Sequence, residues 1–176
     1  MAPLMAQPYS QLQKTKINDH ITLQLPESFS PLNEQEVNKK FISYRKPLAI
    51  YSDPGRVVDF GINVSVTQWG EEDLPLMKDF FKSTIYSLYD TIEMIDERIT
   101  EVNDRPFVVF EFLSSVKSED NAFMQNNDIH KYSYLQYALV NGKTLLFNFT
   151  CPAGLRSKWD NVADEMMKSI EIKNSF

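Results

Sequence analysis

The side chains able to do chemistry are few and scattered. The chain holds two histidines, His20 and His130, and one cysteine, Cys151. Neither histidine stands in an HExxH or similar spacing, so nothing points to a transition-metal site. A lone cysteine excludes an intramolecular disulfide and a multi-cysteine zinc site. On the hairpin register given below, His130 falls diagonally from Cys151 on one face, roughly 7 Å away. That is beyond direct hydrogen-bond reach, and Cys151 continues an apolar row in which a free thiol packs as a small hydrophobe. Glu93, Asp96, Glu97, Glu101 and Asp104 gather around one hairpin, but Arg98, Thr100 and Arg105 interleave with them. This is the pattern of a solvated sheet edge rather than an acid–base pair. The loop Ser118-Glu119-Asp120-Asn121 with Asn126-Asn127-Asp128 is rich in oxygen ligands. It lacks the spacing and the glycine of a calcium-binding EF-hand. The five glycines form neither GxGxxG nor a P-loop. The residue types therefore point to no catalytic group, no metal and no cofactor. The sequons at Asn63 and Asn148 fall inside predicted strands, where an attached glycan is out of place.

One pattern suits binding. Gly61, Asn63, Ser65 and Thr67 alternate along a strand-like segment and Trp69 ends it. Such a row of short polar side chains lets another chain or a ligand approach a sheet closely, although an ordinary wet sheet face has the same pattern. Asn63, Ser65, Thr67 and Trp69 are the candidate binding residues. Asn148 and Thr150 extend this surface only if their strand shares its face.

The chain has 176 residues, 43% hydrophobic and 24% charged, the composition of a globular protein. Eighteen Lys and Arg against 24 Asp and Glu give a net charge of -6, which argues against a nucleic-acid binder. No apolar run approaches the roughly 18 residues of a membrane span. Residues 1–10, MAPLMAQPYS, carry no charged side chain and read as a flexible tail before a single domain over 11–176. Leu4-Met5-Ala6 before Gln7 also resembles the end of a trimmed signal peptide. Compartment is thus left between a cytoplasmic chain and an exported one.

The elements that must position these residues follow from periodicity. Lys16–Leu25 reads as a strand, with Ile21, Leu23 and Leu25 in alternation. Asn33–Phe41 reads as a short helix with Asn33 and Glu36 spaced for a capping box. Leu48–Ser52 is a short strand before the turn Ser52-Asp53-Pro54-Gly55. Val58–Trp69 alternates apolar Val58, Phe60, Ile62, Val64 and Val66 with the small polar row. Leu74–Ile92 changes to helical spacing through Met77, Phe80, Phe81, Ile85, Leu88, Tyr89 and Ile92. This aromatic stripe is a core face rather than a cofactor box.

Glu93–Val102 and Pro106–Val116 flank a tight turn, Asn103-Asp104-Arg105, and both faces of the second strand are apolar. Lys117–Ile129 is a polar loop. Lys131–Val140 and Lys143–Cys151 flank Asn141-Gly142, a strong hairpin signal. The turn opposes Val140 to Lys143. Tyr132, Tyr134, Gln136 and Ala138 then share one face with Leu145, Phe147, Phe149 and Cys151. The other face holds Ser133, Leu135, Tyr137 and Leu139 against Thr144, Leu146, Asn148 and Thr150. Leu155–Ile170 is a closing amphipathic helix. Two apolar helix faces and a two-faced sheet predict an α+β fold, a three-layer α/β/α sandwich around a mainly antiparallel sheet. The crossover through the long helix is expected to add the parallel element.

With these elements in order, the chain resembles the PsbP/Mog superfamily. The resemblance rests on ITLQLPESF (21–29), VVDFGINVSVTQW (57–69), ITEVNDRPFVVFEF (99–112) and the hairpin 132–151 leading into the helix 155–170. It covers about residues 17–173, and the bacterial DcrB-like and EagR-like branches are nearest in length and texture. Members are mostly not enzymes; they include photosystem II extrinsic subunits, Ran-binding nuclear proteins and secretion chaperones. The resemblance implies a non-enzymatic adaptor or chaperone-like protein whose partner is another polypeptide, with neither nucleic acid nor a membrane span. The alternative is a small-ligand or lipid-binding carrier with a cavity between sheet and long helix. No functional residue carries over from the resemblance.

Overall fold

The computed structural model describes residues 11–40, 46–117 and 128–176. The expected tail 1–10 and most of the polar, oxygen-rich loop fall outside the described residues. The strands are β1 (Leu12–Lys16), β2 (Ile21–Pro26), β3 (Ser30–Pro31), β4 (Ala49–Ser52), β5 (Asp59–Val66), β6 (Thr91–Val102), β7 (Arg105–Val116), β8 (Ile129–Val140), β9 (Lys143–Pro152) and β10 (Glu171–Ile172). The helices are α1 (Glu34–Lys40), α2 (Leu74–Leu88) and α3 (Arg156–Lys168).

β6 to β9 form a meander tied by two two-residue turns. Asn103 and Asp104 have φ of 48° and 61°, and Asn141 and Gly142 have 48° and 73°. Left-handed conformation at both central positions matches the strand twist, and Asn, Asp and Gly tolerate it best. The β8–β9 ladder holds the expected register from Val140 opposite Lys143 to Lys131 opposite Pro152. β5 then adds to the free side of β9, giving the order β3-β4-β5-β9-β8-β7-β6. The chain between β5 and β6 passes over β9, β8 and β7 by way of α2. The crossover therefore contributes no parallel pair, contrary to the expectation. Every pairing among the described residues is antiparallel.

The two faces of this sheet bury different partners. One face presents Phe60, Ile62, Phe107, Val109, Tyr132, Tyr134, Phe147 and Phe149 to α3 and to a small sheet ordered β1-β2-β10. Trp159, Val162, Ala163, Met166 and Met167 supply the stripe of α3. The other face presents Val108, Phe110, Phe112, Leu135, Tyr137 and Leu139 to Leu74, Met77 and Ile85 of α2. The result is the α+β layering expected, with the small sheet sharing a layer with α3.

Three boundaries depart from the periodicity. The first strand-like stretch is a hairpin, because Asn18 Oδ1 accepts from the backbone of His20 and Ile21, both at 2.8 Å, and turns the chain between β1 and β2. α2 ends at Leu88 rather than Ile92. Tyr89 is extended, and the Asp90 amide donates to the Ser115 carbonyl at 3.0 Å. Tyr89 and Ile92 still reach the α2 core, from the connection and from β6, so spacing alone joins them to the helix. At the end of β5, Val66 is 88% exposed although it continues the apolar row. The capping box of α1 forms as expected, Glu36 N–H donating to Asn33 Oδ1 at 2.9 Å and Asn33 N–H to Glu36 Oε2 at 3.0 Å.

Phe147 lies fully buried between Phe60 and Phe107, with ring centroids at 6.5 and 6.3 Å. Phe147→Ala is expected to lower stability by about 3–5 kcal/mol, read as a shift of the urea midpoint.

Candidate functional site

The pairing places side chains on the α2 face in rows. One row runs Gly61, Asn148, Leu135, Phe110; the next runs Asp59, Thr150, Ser133, Phe112; the third runs Pro152, Lys131, Ser114. Across the first two rows the surface passes from apolar Phe110 and Phe112 under α2 to polar toward β5, and the third row is polar at Ser114 and Lys131. Along the strands, the rows near Val108, Tyr137 and Leu146 are covered by α2, while those near Thr150 and Ser133 lie beyond its end.

There the layers part and leave an open groove of about 620 Å³. Its floor is Ser114, Ser133, Asn148 and Thr150. Ser114 and Ser133 are only 6% and 2% exposed, and neither hydroxyl hydrogen-bonds another described residue. Asn148 Oδ1 is enclosed and also lacks a partner. Buried polar groups in this condition cost stability unless water or a ligand satisfies them.

One wall is built by the β4–β5 turn and α1. Asp53 Oδ1 accepts from Val57 and Val58 N–H at 2.8 and 3.0 Å, which holds Arg56 at a φ of 57° and turns Val57 outward. Lys40 Nζ bonds both oxygens of Asp59 at 2.9 Å and the Arg56 carbonyl at 2.7 Å. Arg56 is held by Glu36 at 3.4 Å and by Ser30 Oγ at 2.9 Å. The opposite wall is Tyr89, packed on Phe112 at 5.8 Å, with Val116 and Ile129, a cross-strand pair. Asp90 Oδ2 accepts from Lys117 N–H at 2.6 Å and fixes this wall's backbone. Val57, Val116 and Ile129 are exposed and form an apolar rim. His130 and Lys131 stand at the mouth, and Lys131 has no carboxylate partner among the described residues.

The structure separates the four residues singled out from sequence. Asn63 and Ser65 lie on the α2 face of β5, opposite Leu146 and Thr144, farther along the strand than the groove. Thr67 and Trp69 have left the strand. Thr67 N–H donates to the Gly142 carbonyl at 3.0 Å, and Thr67 Oγ1 accepts from Trp69 N–H at 3.2 Å. Trp69 packs on Phe80 at 5.7 Å at the edge of the α2 core. Asn148 and Thr150 do share the β5 face, opposite Gly61 and Asp59. The groove residues Ser114, Ser133 and Lys131 carried a weaker signal, their place in the polar half of the β7–β8–β9 pattern.

Away from the groove, Thr144 Oγ1 and Glu97 Oε2 are also enclosed without a hydrogen-bond partner among the described residues, while other polar groups pair with one another. Tyr134 Oη accepts from Arg98 at 2.9 Å and donates to Asp164 at 3.1 Å, and Asp164 pairs with Lys168 at 2.7 Å. Tyr132 donates to Glu111. No group of three or more His, Cys, Asp or Glu among the described residues is placed to hold a metal ion. Cys151 is 1% exposed in the α3 core, and burial, with the Asp160 charge second, pushes its thiol up to about 12. Cys151 stands opposite Tyr132, which leaves His130 diagonal to it across the β8–β9 ladder as the register predicts, and both residues border the groove; the buried thiol belongs to the α3 core.

No family model and no curated protein sequence matches the chain. Solved structures do. CyanoP of Synechocystis superposes with a TM-score of 0.62 at 12% identity, over 93% of this chain and 94% of that one. LpqN of Mycobacterium tuberculosis, described as involved in cell envelope biogenesis, gives 0.60 at 13% identity over 93% and 91%. The Ran-binding protein Mog1p of Saccharomyces cerevisiae gives 0.60 at 10% identity over 94% and 97%. The chain has a PsbP/Mog-like fold. At these identities the likeness is one of architecture, and the groove stands on this chain's own residues.

Two outcomes follow for the PsbP/Mog-like domain. Ser133→Ala with Thr150→Val removes hydroxyls that the fold leaves unpaired, so thermal stability is expected to hold or to rise by up to about 1 kcal/mol; a larger loss would show that the hydroxyls hold the fold. The thiol ionises near 9 when unfolded and near 12 when folded. Burial raises Tyr134 likewise, to about 12. The folded state thus keeps protons that the unfolded state releases, so this stability is complete below pH 9 and is lost as pH rises through that window. Melting temperature is expected to fall above pH 9, and Cys151 to resist thiol reagents at pH 8 until the chain unfolds.

Proposed function

We propose that this is a non-enzymatic adaptor or chaperone-like protein that docks another polypeptide in the groove beyond the end of α2. The observation that carries the reading is a polar floor of Ser114, Ser133 and Thr150 hydroxyls around the enclosed, unpartnered Asn148 Oδ1, beneath an apolar rim. Interfaces combine an apolar anchor with polar groups that fix orientation. A peptide supplies both, through its side chains and its backbone. A protein of the same fold, Mog1p, is described as Ran-binding, which agrees with a polypeptide partner. Burial holds the Cys151 thiol protonated at the edge of the groove, which supports binding over thiol chemistry there.

The small-ligand carrier is the second reading, and it too rests on this groove, whose 620 Å³ lies within the range of small-molecule sites. It does not rest on the space between α2 and the sheet. There Phe81 stacks on Tyr137 at 4.3 Å, and Met77 and Ile85 are buried.

The test is affinity capture with full-length protein from native lysate, wild type beside Ile129→Glu, with bound polypeptides and lipids identified by mass spectrometry. Ile129 is exposed, so the variant is expected to keep the wild-type melting temperature. A polypeptide held by wild type and lost from the variant supports docking in the groove. A lipid or small molecule lost in the same way supports the carrier. A polypeptide held equally by both moves the docking surface elsewhere.

A further inference from the structure

We infer that the occupant of this groove is an extended polypeptide segment carrying acidic side chains, an inference that rests on the docking reading above. Three features lead to it.

The first is spacing. Asn148 and Thr150 are alternate residues of β9, and Ser133 and Lys131 are alternate residues of β8. Alternate residues of a strand lie about 6.7 Å apart. An extended peptide repeats its own backbone groups at the same interval. A segment lying along β8 and β9 therefore meets a polar group at each repeat.

The second is the kind of polar group. Ser114, Ser133 and Thr150 hydroxyls both donate and accept, and the enclosed Asn148 Oδ1 accepts. A peptide backbone offers both N–H and C=O. A lone anion offers acceptors only and leaves Asn148 Oδ1 unsatisfied. A hydrocarbon chain satisfies none of these groups.

The third is charge. On one wall Lys40 is neutralised by Asp59 and Arg56 is paired with Glu36. Lys131 is the lining cation left without a carboxylate among the described residues, and His130 stands beside it. Among the described lining residues the one carboxylate, Asp59, is paired with Lys40, although the chain as a whole has a net charge of -6. The mouth is thus locally cationic on an acidic protein, which favours a segment with Asp or Glu there and disfavours a basic one. Between the charges, the rim of Val57, Val116 and Ile129 takes an apolar side chain.

The test is selection of a random twelve-residue peptide display library on immobilised full-length protein, with the enriched clones re-measured on Lys131→Glu and on Ser133→Ala/Thr150→Val, each checked for an unchanged fold by circular dichroism. Enrichment of clones that alternate Asp or Glu with apolar residues is expected. Their binding should fall about fivefold on Lys131→Glu, as for one exposed ion pair. It should fall about tenfold on the double variant, as for lost backbone hydrogen bonds. Clones without acidic bias, or basic clones, that still depend on Ser133 and Thr150 would overturn the acidic segment and leave docking standing. Clones indifferent to both variants, or no enrichment at all, would overturn the docking groove and the acidic segment together.

Discussion

The β8–β9 register governs where every other group in this protein can stand. A strand presents alternate residues to opposite faces, so slipping the pairing by one would exchange Tyr134 and Phe149 for Ser133 and Thr150. Two left-handed residues at Asn141-Gly142 prevent that slip locally, and the fully buried aromatic row prevents it globally. β7 and β5 take their register from β8 and β9 in turn. The floor of the groove is thus a by-product of the same constraint that builds the core.

The two sheet faces meet opposite requirements. On the α3 side, helix and small sheet together cover β5, β9, β8 and β7, and polar tips that reach the rim are tied to one another through Arg98, Tyr134 and Asp164. On the α2 side one helix of 15 residues covers part of a seven-stranded sheet. It is anchored toward the β6 edge by Lys82 bonding Glu97 at 2.8 Å, a contact that holds the Glu97 carboxyl below its ordinary range. Anchoring on that side leaves β5 and the Asn148–Thr150 end of β9 uncovered, and that surface carries Gly61, Asn148 and Thr150 instead of Phe and Leu. The enclosed, unpartnered Asn148 Oδ1 there costs stability that packing alone does not explain, and natural proteins keep such features where function needs them.

Much of this was readable from the residues. Alternation in 132–140 and 143–151, with Asn-Gly between, specified both faces of the hairpin, and the closing helix showed its stripe from Trp159 to Met167. What sequence could not provide was the phase between distant strands. That Gly61 lies opposite Asn148 depends on β5 choosing β9 rather than β6, and no local pattern encodes that choice. For the same reason the polar row pointed to Asn63 and Ser65, whereas the cavity forms at the other end of β5, where α2 stops short. The helix end was hidden because Tyr89 and Ile92 bury themselves in the same core from non-helical backbone. Thr67 and Trp69 were misplaced because strand alternation continues for a few residues past the last ladder bond.

The order of the strands also sets an order of events during synthesis. β6, β7, β8 and β9 each pair with a sequence neighbour, β6–β7 and β8–β9 through two-residue turns, so this meander is complete as soon as Pro152 has emerged. β5 is made earlier and pairs first with β4 alone, since its other neighbour, β9, does not exist until Phe149 has been made. Long-range pairing of this kind closes late because the loop entropy is paid before the contacts form. Until then β5 and the apolar side of β2 leave the ribosome without their cover, and α3, which caps both, is translated last. The nascent chain thus carries an uncovered apolar strand for most of its synthesis, the stage at which a folding helper has something to hold.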